Sequence, residues 1–349
     1  MKTSALFKLI KTMPKADLLL HLEGAVTPAV LKTLAGKYST EEEINLAPDN
    51  EGNPYNINSQ EDLDGARQLI GRHLRKPKDY LLVLDEIHKS MAGQNIVYSE
   101  VFFSPAARWR LGLDAENVLE LLLEKSAGVE KNGGPVIRWI LNCQRNLGPD
   151  SARKTVDLAI RYREQGVVAV GLGSSVGTAE SFDPDEYAKI FSWAKVQGLF
   201  IHVYTGETDS PDEVRVALEK LGANRIGHGI QAARDPQLMK YLKDRTAGLD
   251  ICLTGDARTG VWKHTLSHPF SLLWKRGVPV SLCTDNPGIL GCSLTDEMEL
   301  AVNRFNLGIP DLKKLCMKSV SLSFLPYREK MALMQKIGDR ISEIFTTLK

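Results

Sequence analysis

Apolar residues along the chain gather in short β-rich runs separated by longer amphipathic stretches. Eight runs read as strands: Ala16–Leu22, Ile96–Phe103, Val136–Asn142, Val167–Leu172, Leu199–Tyr204, Arg225–Gly227, Leu249–Leu253 and Val278–Cys283. Between them, stretches such as Ala115–Glu130, Ser151–Gln165, Glu186–Gln197, Ser210–Leu221 and Gln237–Leu242 repeat with helical spacing. Strand alternating with helix predicts right-handed βαβ units and a parallel sheet. Eight such strands in 349 residues predict an α/β fold, a (β/α)8 TIM barrel, as one domain over residues 1–349.

The segment Ser39–Lys78 breaks the alternation. It is long and polar, with Pro54, Asn56 and Asn58 ahead of a helical pattern over Leu63–Leu74. As an insertion after the first strand, it is expected on the C-terminal rim as a lid over the mouth. Its basic run Arg72–Lys78 reads as a solvated helix end rather than a phosphate site. The glycines of Gly171-Leu172-Gly173-Ser174-Ser175-Val176-Gly177 follow a strand, but no helix opens directly after them. They are not expected to bind a dinucleotide.

Charge narrows the partners. Lys plus Arg number 44 against 43 Asp plus Glu, a formal charge of +1. No net field draws the chain to nucleic acid or an acidic membrane, so a small-molecule substrate is the expected partner. Five cysteines, an odd count without a C-x-x-C pair, argue for a reducing compartment and against a disulfide framework or a thiolate zinc site. The start, Met1–Phe7, is too short and charged for a signal peptide, and no run approaches 18 apolar residues. A cytoplasmic protein is expected.

Catalysis in a TIM barrel sits at the C-terminal strand ends. The first strand ends in His21-Leu22-Glu23-Gly24, the fifth in Tyr204-Thr205-Gly206-Glu207, the sixth in Gly227-His228-Gly229 and the eighth in Thr284-Asp285-Asn286-Pro287. Ionisable groups at four strand ends would meet in one cup, which marks it as functional. Trp262 and Trp274 read as packing residues. Ser104, in a Ser-Pro turn, is no nucleophile candidate.

These strand ends, in this order, resemble the adenosine/adenine deaminase family. Arg225-Ile226-Gly227-His228-Gly229 matches its strand-six motif, with weaker echoes at Ser104-Pro105, Arg145 and His268-Pro269. The resemblance runs from about residue 13 to 335. It implies a zinc held by a His-x-His pair on strand one, a strand-five His and the strand-eight Asp. It also implies a Glu that protonates the substrate ring nitrogen and a His that orients or deprotonates water.

The family's pattern breaks at its metal. Leu19 and Tyr204 stand where two histidine ligands belong, leaving His21 and Asp285, while Glu207 and His228 are retained. A zinc site needs at least three protein ligands. His202 faces the same way as Tyr204, one pleat deeper (about 6–7 Å). No cofactor is therefore expected, with zinc weak or absent. Zinc lowers the pKa of bound water from about 15.7 to roughly 7, worth on the order of 12 kcal/mol. A lone general base supplies roughly 3–5 kcal/mol.

The expected activity is thus metal-independent acid–base chemistry on a purine-like nitrogen heterocycle: C–N hydrolysis, elimination or cyclisation. Glu207 is the acid and His228 the base. Asp285 orients His228, and Tyr204 adds a phenol. One alternative is a zinc deaminase using His21, Asp285 and either His202 or His228. Another is a pseudoenzyme that binds a purine-like ligand. Glu23, Asn286, Ser174, His21 and Leu19 are the expected substrate contacts. The resemblance places Glu23 where adenosine deaminases carry Asp, and Asn286 where they carry a purine-binding Asp. Both changes point to a substrate other than adenosine.

Overall fold

The structure, a computed structural model, describes residues 2–44, 46, 52–173, 183–207, 210–263 and 265–347. Eight parallel strands form one sheet in sequence order: β1 (Lys15–His21), β2 (Ile96–Phe103), β3 (Val136–Gln144), β4 (Val167–Gly173), β5 (Phe200–Thr205), β6 (Arg225–His228), β7 (Gly248–Ile251) and β8 (Val280–Leu282). Helices connect them, as a (β/α)8 TIM barrel requires. The ring closes through a single parallel bridge between Leu20 and Asp285. There His21 N donates to Asp285 O (2.7 Å) and Asp285 N to Leu19 O (2.9 Å).

The strands lie where the hydrophobic runs placed them, with two shortened for local reasons. Leu253 leaves β7 to begin the helix Leu253–Arg258, whose first N–H groups are capped by the buried Glu297 carboxylate. Val278 closes the helix Phe270–Arg276 by donating to Leu273 O, so β8 starts only at Val280.

Apolar strand faces and the inner faces of the helices make one continuous core. Its deepest layer is polar. Arg225, fully buried, donates to Asp250 and Glu100 and to the carbonyls of Leu18 and Leu322. His202 Nε2 lies 3.0 Å from Asp250 Oδ2 in the same network. Buried charges survive only when paired and hydrogen-bonded in this way.

Segment 39–78 contains the helix Gln60–His73, capped at its start by Ser59 Oγ, which accepts from Asp62 N (3.1 Å). The helix buries Leu63, Ala66 and Ile70. Its exit is pinned by Asp79, which accepts from the backbone N–H groups of Arg75 (2.9 Å) and Lys76 (2.8 Å). Among the described residues no helix is long and apolar enough to cross a membrane.

Candidate active site

A cavity of about 600 Å³ opens at the C-terminal strand ends. That volume lies within the usual range for small-molecule sites. His21, Glu23, Tyr204, Glu207, His228 and Asp285 all line it. Four strands that are distant in sequence therefore deliver their terminal polar residues to one place.

Two of these residues have left-handed backbones. His228 has φ +62° and Asp285 φ +59°. Such conformations are uncommon for residues other than glycine and cluster at functional sites. At each, the strand ends and the side chain turns toward the mouth. The Leu20–Asp285 bridge holds the second of these turns in place.

His228 is clamped from behind. Its Nδ1 lies 2.8 Å from Asp256 Oδ1, and the other oxygen of Asp256 lies 3.0 Å from His268 Nε2. His268 in turn accepts from Phe270 N through Nδ1 (3.1 Å), so its Nε2 carries the proton it gives to Asp256. The opposite nitrogen of His228, Nε2, points into the cavity, 3.7 Å from Glu207 Oε1. The orienting carboxylate is thus Asp256 and not the expected Asp285, which pairs instead with His21. Asp256 comes from the helix Leu253–Arg258 that follows β7, outside the four motif-bearing strand ends.

Burial works against charge on His228, yet Glu207, Asp256 and Asp285 outweigh it and raise its pKa to about 10. Burial likewise opposes ionisation of Asp256, but the two histidines pull it down to about 2. Glu207 is raised, chiefly by burial. At neutral pH the arrangement is therefore an imidazolium on the Asp256 carboxylate, facing a second carboxyl group whose pKa burial has raised.

His21 and Tyr204 form the opposite wall. Tyr204 Oη lies 2.8 Å from His21 Nε2, and Asp285 Oδ1 lies 3.3 Å from the same nitrogen. The two rings stack at 5.3 Å, with Phe102 packed against both. Burial lowers the His21 pKa well below its ordinary value, with Arg67 adding to the effect. Burial raises Tyr204 and Asp285. Asp285 Oδ1 is buried and accepts no hydrogen bond. His202 packs edge-on against Tyr204 and Phe102 from beneath this wall, fully buried, with Nε2 bound to Asp250 and so unavailable as a ligand.

The expected substrate contacts divide. Glu23 lines the cavity, buried, with Arg108 Nε 3.8 Å from its Oε1. Leu19 and Asn286 are fully buried beneath the lining. Asn286 accepts through Oδ1 from Arg67 Nε (3.3 Å) and Nη2 (3.2 Å), so it positions that arginine. Gly24 makes room for it, since a β-carbon there would stand 2.4 Å from Asn286 Oδ1. Ser174 lies outside the described residues, as does most of the glycine run 171–177. Segment 39–78 brings Arg67 and Arg72 to the cavity, so the basic run is not wholly a solvated helix end. Its His73 is buried, with Nδ1 2.8 Å from Leu69 O. Arg67 and Arg108 carried no motif and gave no sequence signal.

Residues 14–340 match the family described as adenosine deaminase. An aminodeoxyfutalosine deaminase of Streptomyces coelicolor is 28% identical over 331 residues, covering 94% of this chain and 84% of that protein. An adenine deaminase of Acinetobacter baylyi is 29% identical over 343 residues, covering 95% and 98%. A solved amidohydrolase from Burkhoderia ambifaria, described with bound Zn, superposes with a TM-score of 0.84 at 18% identity, covering 99% and 95%.

These findings correct the expectation that no cofactor belongs here. The matched family is zinc-dependent, and the Burkhoderia amidohydrolase of the same fold is described with bound Zn. Of the four ligand positions that the resemblance implies, His21 and Asp285 keep donor atoms. His21 Nε2 and Asp285 Oδ1, which accepts no hydrogen bond, are 3.3 Å apart, and the same His21 nitrogen lies 2.8 Å from Tyr204 Oη. Leu19 offers no donor, and Tyr204 offers a phenol already bonded to His21. Among the described residues no three of His, Cys, Asp and Glu are grouped to hold a metal.

Proposed function

Because the chain belongs to the adenosine deaminase family, we propose that it hydrolytically removes an amino group from a nitrogen heterocycle other than adenosine. The single observation that carries this reading is the line Glu207, His228, Asp256, His268 leading from the cavity into the core. It provides a carboxyl that gives a proton and an imidazolium held by a buried carboxylate. We further read the chain as one domain over residues 1–349, with residues 39–78 as the rim element that covers the mouth.

In this reading the amino-bearing carbon sits between Glu207 and His228. Glu207 protonates the adjacent ring nitrogen as water oxygen bonds to the carbon. His228 donates Nε2–H to that oxygen while charge develops on it, the kind of preorganised stabilisation that contributes most in a water-poor site. Asp285, with Oδ1 free of hydrogen bonds, takes the proton that water loses. Asp285 then gives that proton to the amino group, the C–N bond breaks and ammonia leaves, and the hydroxyl proton passes to Glu207 as the carbonyl forms on the ring. Tyr204 holds His21 by its hydroxyl and forms the wall against which a flat ring packs. Zinc, when bound, supplies activation of water, and His21 and Asp285 are the residues that would hold it.

The departure from adenosine rests on Glu23, Asn286 and Tyr204. Asn286 binds Arg67 rather than facing the cavity, and Tyr204 enlarges the wall. The test is ammonia release from a panel of amino-bearing purines, pyrimidines and imidazoles, with and without added zinc. Release from at least one of them, abolished by Glu207→Gln and weaker with adenosine, is expected. No release from any member, or adenosine as the best substrate, overturns the proposal.

A further inference from the structure

The charges of the cavity are divided between two sides. Glu207, His228 and Asp285 come from β5, β6 and β8. The opposite side is built from β1 to β3 and the inserted helix. It carries four arginines, Arg67, Arg72, Arg108 and Arg110, against two carboxylates, Glu23 and Asp64, while a fifth, Arg145, donates to Tyr204 O of β5 (3.0 Å). Arg67 spends one nitrogen on Asp64 (3.4 Å), and Arg108 lies 3.8 Å from Glu23. Arg72 and Arg110 are exposed and have no carboxylate within 4.0 Å among the described residues. The chain as a whole has a formal charge of only +1, so this accumulation is local.

Arg108 shows that the side is built and not merely basic. Its side chain is buried, with Nη1 donating to Tyr80 Oη (3.0 Å). Its Nε is buried and makes no hydrogen bond. The residue facing it from the inserted helix is Gly71, where a β-carbon would lie 3.5 Å from Nη2 and cover the guanidinium. With glycine there, the planar group is open to the cavity that both residues line. Guanidinium groups suit carboxylate and phosphate because their N–H groups form a fork that such anions can bind twice. Glu23, 3.8 Å away, balances its charge, but the Nε–H itself has no hydrogen-bond acceptor, and a buried donor without one in a cavity marks a place where a ligand atom belongs.

We infer that the substrate carries an anionic group, a phosphate or a carboxylate, bound by Arg108, Arg72 and Arg110 on the rim opposite Glu207 and His228. The heterocycle lies with its amino end toward β5–β8 and its anionic tail under the inserted helix. Arg67 stands between the two, tethered to Asn286, and sets how far apart they are. This inference rests on the deaminase reading for the orientation of the heterocycle but not for the binding of the anion.

The test measures binding by calorimetry at low and high salt. The probes are inorganic phosphate, adenosine, adenosine 5′-monophosphate and adenosine 5′-carboxylate. The proteins are the wild type and Arg72→Gln/Arg110→Gln, with Arg108→Gln as a separate variant checked for folding by its thermal midpoint. Phosphate binding is expected alone, and at least one of the anionic nucleosides should bind ~10-fold or more tighter than adenosine. That preference should shrink to about twofold or less in the double variant and weaken with salt. The better of the two anionic nucleosides identifies phosphate or carboxylate as the tail. Equal binding of adenosine and both anionic forms, binding of no anion, or a preference that survives the double variant overturns the inference. Ammonia release is followed in parallel. Anion preference without turnover of any amino-heterocycle removes the deaminase reading alone, and turnover without anion preference removes this inference alone.

Discussion

Asp256 joins two histidines, His228 through Oδ1 at 2.8 Å and His268 through Oδ2 at 3.0 Å, and with Glu207 it keeps the His228 imidazole charged in a buried site. Asp256→Asn removes the negative charge and leaves a group of the same size. Catalytic turnover is expected to fall on the order of 10²-fold or more. The pKa of His228 should move from about 10 toward its ordinary value of 6.5. If the charged form is the active one, activity is lost as pH rises through that pKa. The alkaline limb of the rate profile must then shift to lower pH in the variant. A profile with an unmoved alkaline limb would show that Asp256 only supports the fold.

Glu207→Gln keeps the hydrogen-bonding shape of the side chain and removes its transferable proton. Turnover should drop by roughly 10²–10⁴-fold. Binding of a substrate or inert analogue should change by no more than a few-fold, since the group acts mainly in the transition state. Isothermal titration beside steady-state kinetics separates the two effects. A variant that loses binding in step with rate places Glu207 in substrate recognition instead.

Leu19 and Tyr204 stand at the two positions where the resemblance to the family implies zinc-binding histidines. Restoring both, Leu19→His/Tyr204→His, should tighten zinc at least ~10-fold relative to the wild type, measured by competition with a chromophoric chelator. The reason is ligand number, because the wild type has His21 and Asp285 where the double variant has a full tetrad. Equal affinities would mean that the wild-type set, Tyr204 included, is already a competent one.

Asp17 lies fully buried behind β8, accepting from Thr284 Oγ1 at 2.7 Å. Burial raises its pKa to about 7 from an ordinary value of 3.8. Between those two values the folded chain holds a proton that the unfolded chain has released. The contribution of that proton to stability is complete below about pH 4, declines as pH rises toward 7 and is absent above that. Every pH step of one across this window removes ~1.4 kcal/mol at most. Asp17→Asn cannot ionise and should escape the decline. Urea midpoints should nearly coincide at pH 4 and favour the variant at pH 8. A variant less stable at pH 8 would show that the ionised carboxylate is the better partner for Thr284.

The barrel and most of the site were legible in sequence because each strand is a short apolar run that ends abruptly in polar residues. His21, Glu207, His228 and Asp285 stand at such ends, and the cavity gathers all four. Partners that come from outside the strand ends were not legible. Asp256 sits within a helix, where one Asp resembles any other until its distance to His228 is known. Arg67 and Arg108 lie on short amphipathic helices, where a basic residue ordinarily faces solvent. The inward turn of His202 to Asp250 depends on cross-strand neighbours that no local pattern encodes. Asp285 contributes charge to His228 but does not orient it, because the Leu20–Asp285 bridge turns its side chain toward His21 of β1, a cross-strand effect that no local pattern encodes.

That bridge has a mechanical consequence. The first and last strands of the barrel are fastened by the backbones of Leu19, His21 and Asp285, where the site's own side chains emerge. Whatever settles between His21 and Asp285 therefore acts as a clasp on the seam of the molecule. Occupancy of the mouth should be readable far from any chemistry, as slower hydrogen exchange at those amides and slower cleavage by protease of a cylinder that must part there to unroll.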